Sequence, residues 1–302
     1  MNNIQGWLNI YKPLNLSSFS VIKKIQRVFK FDKIGHAGTL DPLAEGILPI
    51  AIGKTTKLIT FVKNSKKEYI FEIKWGQQTS TDDQEGAIIA ESSKIPNDKK
   101  INSTLGQFKG KILQSPPIAS AVKINGQRAY KLFRSNIPFQ TKKKYVEIFD
   151  CKIISETKNK ITKFRIQCGQ GFYIRSFARD LANVLETKGH IISLKRTKVG
   201  KFCIKNSILL DDLLKIRQRQ PEFREIHPSI SMLDDILAYE IDDENLINKV
   251  SHGNSVKIDK NSFLQSSLNI SDRSVVFLTS KSNVLSFGKL DGSLFKPDKV
   301  LI

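Results

Sequence analysis

The chain has 302 residues, of which 40% are apolar and 26% charged, which allows a sizeable core and excludes a largely disordered protein. Its 49 lysines and arginines exceed its 29 aspartates and glutamates, giving a formal net charge of +20. Such an excess favours a polyanionic partner such as nucleic acid, because Lys and Arg that neutralise phosphates release counterions. A general bias toward lysine is the alternative.

The first elements in chain order are a strand and a helix. Residues 6–10 predict a short strand that ends before Pro13. Ser17 or Ser18 can cap a helix, and apolar residues then recur with helical spacing over residues 21–29.

Residues 35–49 contain three glycines, two prolines, His36 and Asp41. Glycine and proline at so many positions fix the backbone. We therefore predict an ordered loop shaped to hold a ligand, with Asp41 as its carboxylate.

Downstream, alternating apolar residues predict strands over 69–75, 145–154 and 161–168. Asn125-Gly126 predicts a hairpin, residues 79–86 are expected to form a polar, acidic loop, and residues 93–104 are expected to be exposed. Further helices are predicted in three places: from Gly53 through Phe61; after Gly171, where the apolar face runs to Leu185; and over 211–216.

The C-terminal part changes in character. Arg217 to Pro221 resembles a linker or an insertion. The sequence changes near Asn245, and Val256 to Ile302 contains short β-type runs separated by Gly and polar turns. We predict a domain over residues 1–244 and a small all-β domain over 245–302.

Several classes of site are excluded by spacing. Cys151, Cys168 and Cys203 have no metal-ligand spacing, and the four histidines are scattered. Gly53-Lys54-Thr55 lacks the earlier glycine of a P-loop, because that position is Leu48. We expect no metal and no cofactor.

The absence of a long apolar run or a signal peptide, together with the cysteine usage, leads us to expect a cytoplasmic protein without membrane contact.

Asp41 is the remaining candidate for chemistry. A carboxylate enclosed by RNA needs a cation to stay ionised, and Arg175 and Arg179 are the best candidates, although a structural ion pair is as good an explanation for either. A base drawn out of a nucleic-acid stack needs an aromatic surface, for which Tyr69, Tyr173, Phe172 and His36 are available unless they belong to the core.

Residues 35–49 resemble the G-H-x-G-x-L-D-P-x-A-x-G-x-L-P signature of bacterial TruB-type tRNA pseudouridine synthases at every defined position. Further blocks are similar to that family in the same order. They are Lys12-Pro13, Tyr69, Ser120-Ala121-x-Lys123-x-x-Gly126 with Tyr130, Gly171-x-Tyr173-Ile174-Arg175, and Leu194-Lys195-Arg196.

The resemblance implies roles for individual residues. Asp41 would be the catalytic residue, and Arg175 would pair with it. Tyr69 and Tyr173 would stack on or steer the target base, and His36 would hold or displace bases of the T loop. Lys12, Lys123, Lys195 and Arg196 are expected to contact RNA, together with the lysines at 142–144, 198 and 201.

Some positions depart from the family pattern. Tyr11 stands where Asp is frequent, Phe172 replaces a usual Thr, and Lys195 replaces an Arg that it cannot fully imitate. Residues 79–83 differ from the T-D-T-x-D pattern that is usual in the family. The alignment of Asp83 with the second acidic residue of that pattern is therefore a weaker assignment.

The resemblance implies an α+β fold, with a mixed, largely antiparallel sheet flanked by helices (the pseudouridine synthase fold) and a small C-terminal PUA-like β-barrel. It implies isomerisation of uridine to pseudouridine at position 55 of tRNA by a monomer without an obligate protein partner, the C-terminal domain binding the acceptor end. Two alternatives remain at this point: a guide-RNA-dependent synthase of the dyskerin type, and a tRNA-binding chaperone in which chemistry is secondary.

Overall fold

A computed structural model describes residues 4–62, 65–216, 225–233, 237–258 and 275–302. Within these ranges, seven α-helices are present: α1, Ser18–Phe29; α2, Ile59–Val62; α3, Asp98–Leu105; α4, Ala129–Arg134; α5, Ile174–Val184; α6, Leu210–Ile216; and α7, Glu244–Ser251.

The same ranges contain nineteen strands. They are β1, Gly6–Lys12; β2, Ile34–His36; β3, Ala44–Ile52; β4, Lys67–Trp75; β5, Gln77–Thr79; β6, Ile88–Glu91; β7, Gly110–Gln114; β8, Lys123–Ile124; β9, Gln127–Arg128; β10, Lys144–Lys158; β11, Ile161–Cys168; β12, Gly189–Val199; β13, Phe202–Cys203; β14, Ile208–Leu209; β15, Leu237–Glu240; β16, Val256–Lys257; β17, Val275–Ser280; β18, Asn283–Asp291; and β19, Leu294–Val300.

The chain divides into two compact units. The first unit comprises Met1–Pro42, Gly46–Ser65 and Gly200–Ile302, and the second comprises Leu43–Glu45 and Lys66–Val199.

In the first unit, β1 pairs in parallel with β14 and antiparallel with β3, and β2 pairs with the other edge of β3. Helix α1 covers this sheet with a stripe that includes Val21, Ile25 and Phe29. The predicted N-cap is confirmed, because the Ser17 hydroxyl accepts a hydrogen bond from the Ser20 amide. This packing places the chain between β2 and β3 at one end of the strands.

The second unit is built on an antiparallel sheet with the strand order β12-β4-β11-β10-β7. Alternate residues of β4, from Lys67 to Trp75, lie on its buried face. Helix α5 packs there, and the rings of Phe177 and Phe71 meet edge to face with centroids 5.9 Å apart. The start of α5 is thereby fixed to the sheet.

The predicted all-β region at the C-terminus is confirmed. Five strands form a curled half-barrel in the order β15-β17-β18-β19-β16, around a core that includes Val276, Leu278 and Phe295. Because β15 precedes residue 245, this sheet contains residues on both sides of the predicted domain boundary, which stays a prediction. The predicted linker at 217–221 lies outside the described residues.

One sequence prediction was wrong in its element type, and one helix was not predicted. Residues 35–49 are not one loop, since β2 and β3 occupy both ends and leave a loop of residues 37–43. Segment 93–104 contains α3, which Asn97 caps by accepting from the Lys100 amide. The Asn125-Gly126 hairpin is confirmed, with both residues at positive φ as a two-residue turn requires.

Candidate functional site

The loop that carries Asp41 is anchored at several backbone positions within the first unit. The Ser18 hydroxyl donates to the Leu40 carbonyl (2.9 Å) and accepts from the Leu40 amide (2.8 Å). The Asn15 amide donates to the Pro42 carbonyl (2.8 Å). These contacts fix the residues on both sides of Asp41, which is itself partly exposed. The loop can therefore present a carboxylate in a defined position.

Lys12 is an additional anchor of this loop. Its side chain is 0% exposed, and its ammonium donates to the carbonyls of Leu16 (2.6 Å), Pro13 (2.8 Å) and Pro42 (3.5 Å). The expectation that Lys12 contacts RNA is corrected, because an ammonium buried on backbone carbonyls is not available to a phosphate. Its charge instead holds the loop next to Asp41.

His36 is the last residue of β2 and pairs with Ile50 of β3 in register. It is half-buried and lies five residues before Asp41, at the start of the same loop. The strand pairing fixes its backbone.

In the second unit, Tyr69 lies on the buried face of β4, directly opposite Arg196 of β12. Arg196 is 1% exposed, so the prediction that it contacts RNA is also corrected. Lys67 lies two residues before Tyr69 on the same face, and burial together with the charge of Arg196 lowers its pKa to about 8. Two cations therefore border the predicted base-stacking tyrosine.

Arg175, in the first turn of α5, is held from three directions. Its guanidinium contacts the Asp83 carboxylate (3.2 Å) and donates to the carbonyls of Thr81 (3.1 Å) and Ala119 (3.0 Å). Asp83 is fixed in turn, since it accepts from the Thr81 hydroxyl (2.5 Å) and the Glu85 amide (3.0 Å). The structure thus pairs Arg175 with Asp83, the acidic residue whose alignment with the family pattern was the weaker assignment.

Tyr173 is the residue that precedes α5. Its amide donates to the side-chain oxygen of Gln114 (2.9 Å), and the Gln114 amide nitrogen donates to the Tyr173 carbonyl (3.1 Å). This reciprocal pair fixes the backbone at the start of α5. Gln114 was missed by the sequence analysis, because nothing in a single Gln at the end of a short strand indicates such a partner.

The remaining basic candidates differ in exposure. Lys123 is exposed on the β8–β9 hairpin, whereas Lys195 is half-buried and forms an ion pair with Glu45 (2.9 Å), also in the second unit. Exposed lysines predicted to meet phosphates are found at positions 142–144, 198 and 201.

Arg179, the other cation considered as a partner for Asp41, lies one turn after Arg175. It contacts Asp82 (2.7 Å) and Asp180 (3.1 Å) and donates to the Ser115 carbonyl (3.1 Å). Sequence reasoning missed this pairing because Asp82 is 97 residues away in the chain.

Cysteine and metal chemistry find no support in the described part of the chain. No group of three His, Cys, Asp or Glu side chains there is arranged to hold a metal ion. Burial raises the pKa of the Cys168 thiol to about 12 and also raises the pKa of Cys151, which disfavours reactive thiolates. None of the described helices is long and apolar enough to cross a membrane.

Comparison with known proteins identifies the family. Residues 26–174 match the model of the TruB family pseudouridylate synthase (N terminal domain). A tRNA pseudouridine synthase B of Ehrlichia ruminantium is 39% identical over 257 residues, which are 84% of this chain and 86% of that protein. The chain belongs to the tRNA pseudouridine synthase B family.

Other relatives agree. The protein of that name from Wolbachia pipientis is 47% identical over 213 residues, covering 70% of this chain and 60% of its own length. That from Bartonella bacilliformis is 35% identical and covers 99% of this chain and 96% of its own.

Among solved structures, a Cbf5-Nop10-Gar1 complex contains a chain with a TM-score of 0.74 and 22% identity, covering 98% of this chain and 85% of that chain. This likeness shows the fold alone, and it confirms the predicted pseudouridine synthase fold.

Proposed function

We propose that this chain converts the uridine at position 55, in the T loop of tRNA, to pseudouridine, without a guide RNA or partner protein. Its membership of the tRNA pseudouridine synthase B family makes it a tRNA pseudouridine synthase. The observation that supports the finer assignment is Asp41, which lies in the G-H-x-G-x-L-D-P signature on an anchored loop.

The reaction needs no cofactor by its atom balance. The bond from C1′ to N1 breaks, the uracil turns, and C1′ joins C5. The hydrogen on C5 leaves as a proton and N1 gains one, so nothing is oxidised and no water is added. Asp41 starts the cleavage, by attack on C1′ or by removal of a ribose proton. Both routes require it to be ionised.

The other site residues prepare this step. Arg175 supplies the cation that keeps Asp41 ionised, and its three contacts in the second unit hold the guanidinium in one orientation. Tyr69 stacks on the flipped uracil, Tyr173 steers it, and His36 fills the gap that the base leaves in the loop.

RNA is bound by basic residues that are exposed or partly exposed. Lys123 and Lys195 contact phosphates, together with the lysines at 142–144, 198 and 201. The C-terminal sheet, as a PUA-like domain, binds the acceptor end of tRNA. We propose that the protein acts as a cytoplasmic monomer.

Primer extension after carbodiimide treatment tests this proposal, because the reagent remains on pseudouridine and stops the polymerase. Unmodified tRNA is incubated with the pure protein alone. We expect a stop that reports position 55 with the wild type and with Asp32→Asn, a matched substitution at an exposed carboxylate of the first unit. The stop should be absent with Asp41→Asn, while tRNA binding stays intact.

Three other results would contradict parts of the proposal, and a fourth would add a second activity to it. A stop at another position would overturn the substrate assignment, and a stop that requires added guide RNA or proteins would favour the dyskerin-type alternative. Turnover by Asp41→Asn would show that the proposed mechanism is wrong. If Asp41→Asn still refolds tRNA, a chaperone activity coexists with catalysis.

A further inference from the structure

A turn between β5 and β6 carries two consecutive buried carboxylates. Asp82 is 5% exposed and Asp83 is 6% exposed. Asp82 has φ +59°, in the left-handed region that Asp tolerates better than most residues. The turn is held internally, since the Thr79 hydroxyl donates to the Asp83 carbonyl (2.5 Å). The two side chains are therefore presented in fixed directions.

Two arginines on one face of α5 receive these carboxylates. Arg175 and Arg179 are four residues apart, so their side chains project from the same side of the helix. Arg175 contacts Asp83 (3.2 Å), and Arg179 contacts Asp82 (2.7 Å). We call this set of four residues the double clamp.

Each arginine of the double clamp also holds a second segment. Arg175 donates to the carbonyl of Ala119, and Arg179 donates to that of Ser115 (3.1 Å). The Ser176 hydroxyl, between them on α5, donates to the Ser115 carbonyl as well (2.7 Å). Segment 115–119, which leads to the exposed basic hairpin at 123–128, is thus fixed to the same helix face.

The Asp82–Arg179 half of the double clamp is not explained by stability. Taking two charges out of water is costly, and a buried pair is often no better than apolar residues of similar volume. Burial raises the pKa of Asp82 above its ordinary value, although Arg179 and Arg175 act in the opposite direction. What such a pair does supply is a defined orientation of the groups that it joins.

We propose that Asp82 and Arg179 are positioning residues for catalysis. They fix the 79–86 turn and segment 115–119 against α5, so that Arg175 keeps the orientation in which it supports Asp41. This inference rests on the role proposed above for Arg175.

The variants separate charge, shape and backbone effects. Asp82→Asn keeps the side-chain shape and tolerates the positive φ but loses the charge. Arg179→Gln removes the cation, and Arg179→Lys keeps the charge while losing the fork that reaches both Asp82 and the Ser115 carbonyl. Glu72→Gln is the control, because Glu72 forms a half-exposed ion pair with Lys163 (3.2 Å) in the same unit.

Three quantities are measured for each variant: the single-turnover rate of pseudouridine formation at saturating tRNA, the tRNA dissociation constant, and hydrogen–deuterium exchange of peptides covering 79–91 and 114–122. For Asp82→Asn and Arg179→Gln we expect a rate about 10- to 100-fold lower, as a small misplacement of a reacting group can cause, with affinity within about threefold. Arg179→Lys should recover part of the rate, and Glu72→Gln should stay within about twofold. Exchange should accelerate in both peptides of Arg179→Gln.

The inference is overturned if the rates of Asp82→Asn and Arg179→Gln stay within about twofold of wild type. It is also overturned if lowering the temperature restores their rates in proportion to the folded fraction, because the pair then acts on stability alone. If the wild type forms no pseudouridine, the proposed function fails separately. Hydrogen–deuterium exchange still tests the double clamp in that case. Unchanged exchange in both peptides of Arg179→Gln would show that the double clamp does not fix these two segments.

Discussion

Removing the charge of Asp83 should destabilise the second unit strongly. The Arg175–Asp83 pair has side chains only 7% and 9% exposed and a contact of 3.2 Å. At an effective dielectric constant of 20, two unit charges at this distance interact by about 5 kcal/mol. Asp83→Asn leaves the guanidinium buried without this counter-charge, and breaking such a pair costs about 3–5 kcal/mol. The amide oxygen can still accept from the Glu85 amide, so the turn itself is retained.

Asp150→Asn is the matched control for this prediction. It removes the same charge from an Asp–Arg pair in the same unit, but the Asp150–Arg165 contact is 3.8 Å and its side chains are 48% and 35% exposed. Exposed pairs contribute about 0–1 kcal/mol. Urea unfolding followed by tryptophan fluorescence in a Trp7→Phe background reports on the second unit, because Trp75 is then the one remaining tryptophan. A loss in Asp83→Asn no larger than that in Asp150→Asn would refute the reasoning.

Three further predictions concern buried polar groups. Lys12→Met removes the ammonium that holds the Pro42 carbonyl. We expect the single-turnover rate to fall at least about tenfold, while the affinity for tRNA stays within about threefold of wild type. An unchanged rate would show that the Asp41 loop does not need this anchor. Lys67 has a pKa of about 8 in the folded chain against 10.5 ordinarily. The unfolded chain therefore binds more protons than the folded chain between these pH values. From pH 8 to 10.5, the wild type should gain up to about 3 kcal/mol of stability relative to Lys67→Met, as urea titrations would measure. A difference between the two proteins that does not change with pH would contradict this. In the native protein, Cys168 should react with iodoacetamide at pH 8 at least about tenfold more slowly than Cys203, as peptide mass spectrometry would measure, because its thiol is buried and protonated.

Periodic elements were predictable from the sequence because one face of each is buried. The alternation in β11 and the helical stripe of α1 reproduce the observed elements closely. Strand β3 was missed because almost all of its residues are buried, so it does not alternate, and because Gly46 and Pro49 interrupt it. Helix α3 was missed because it is polar and buries little besides Ile101, Thr104 and Leu105.

The long motif at residues 35–49 was sufficient to predict Asp41 as a candidate site residue. Charge alone was not sufficient to predict which basic residues are exposed. The motif predicts Asp41 and its loop, but a basic residue in the sequence does not reveal whether its charge meets solvent or backbone. Lys12 and Arg196 were therefore expected on RNA, whereas both are buried. The partners of Arg175 and Arg179 come from turns far away in the chain, and only tertiary packing brings them to α5.

We propose that Asp41 isomerises uridine 55 of tRNA without a guide RNA or a partner protein. Release of tritium from a tRNA transcript labelled at C5 of its uridines tests this proposal, because formation of the C1′–C5 bond expels the C5 hydrogen into water. With the pure protein, we predict release of one tritium equivalent per tRNA, none from a transcript with cytidine at position 55, and none with Asp41→Asn. Equal release from the position-55 variant transcript, or release by Asp41→Asn at the wild-type rate, would contradict the account.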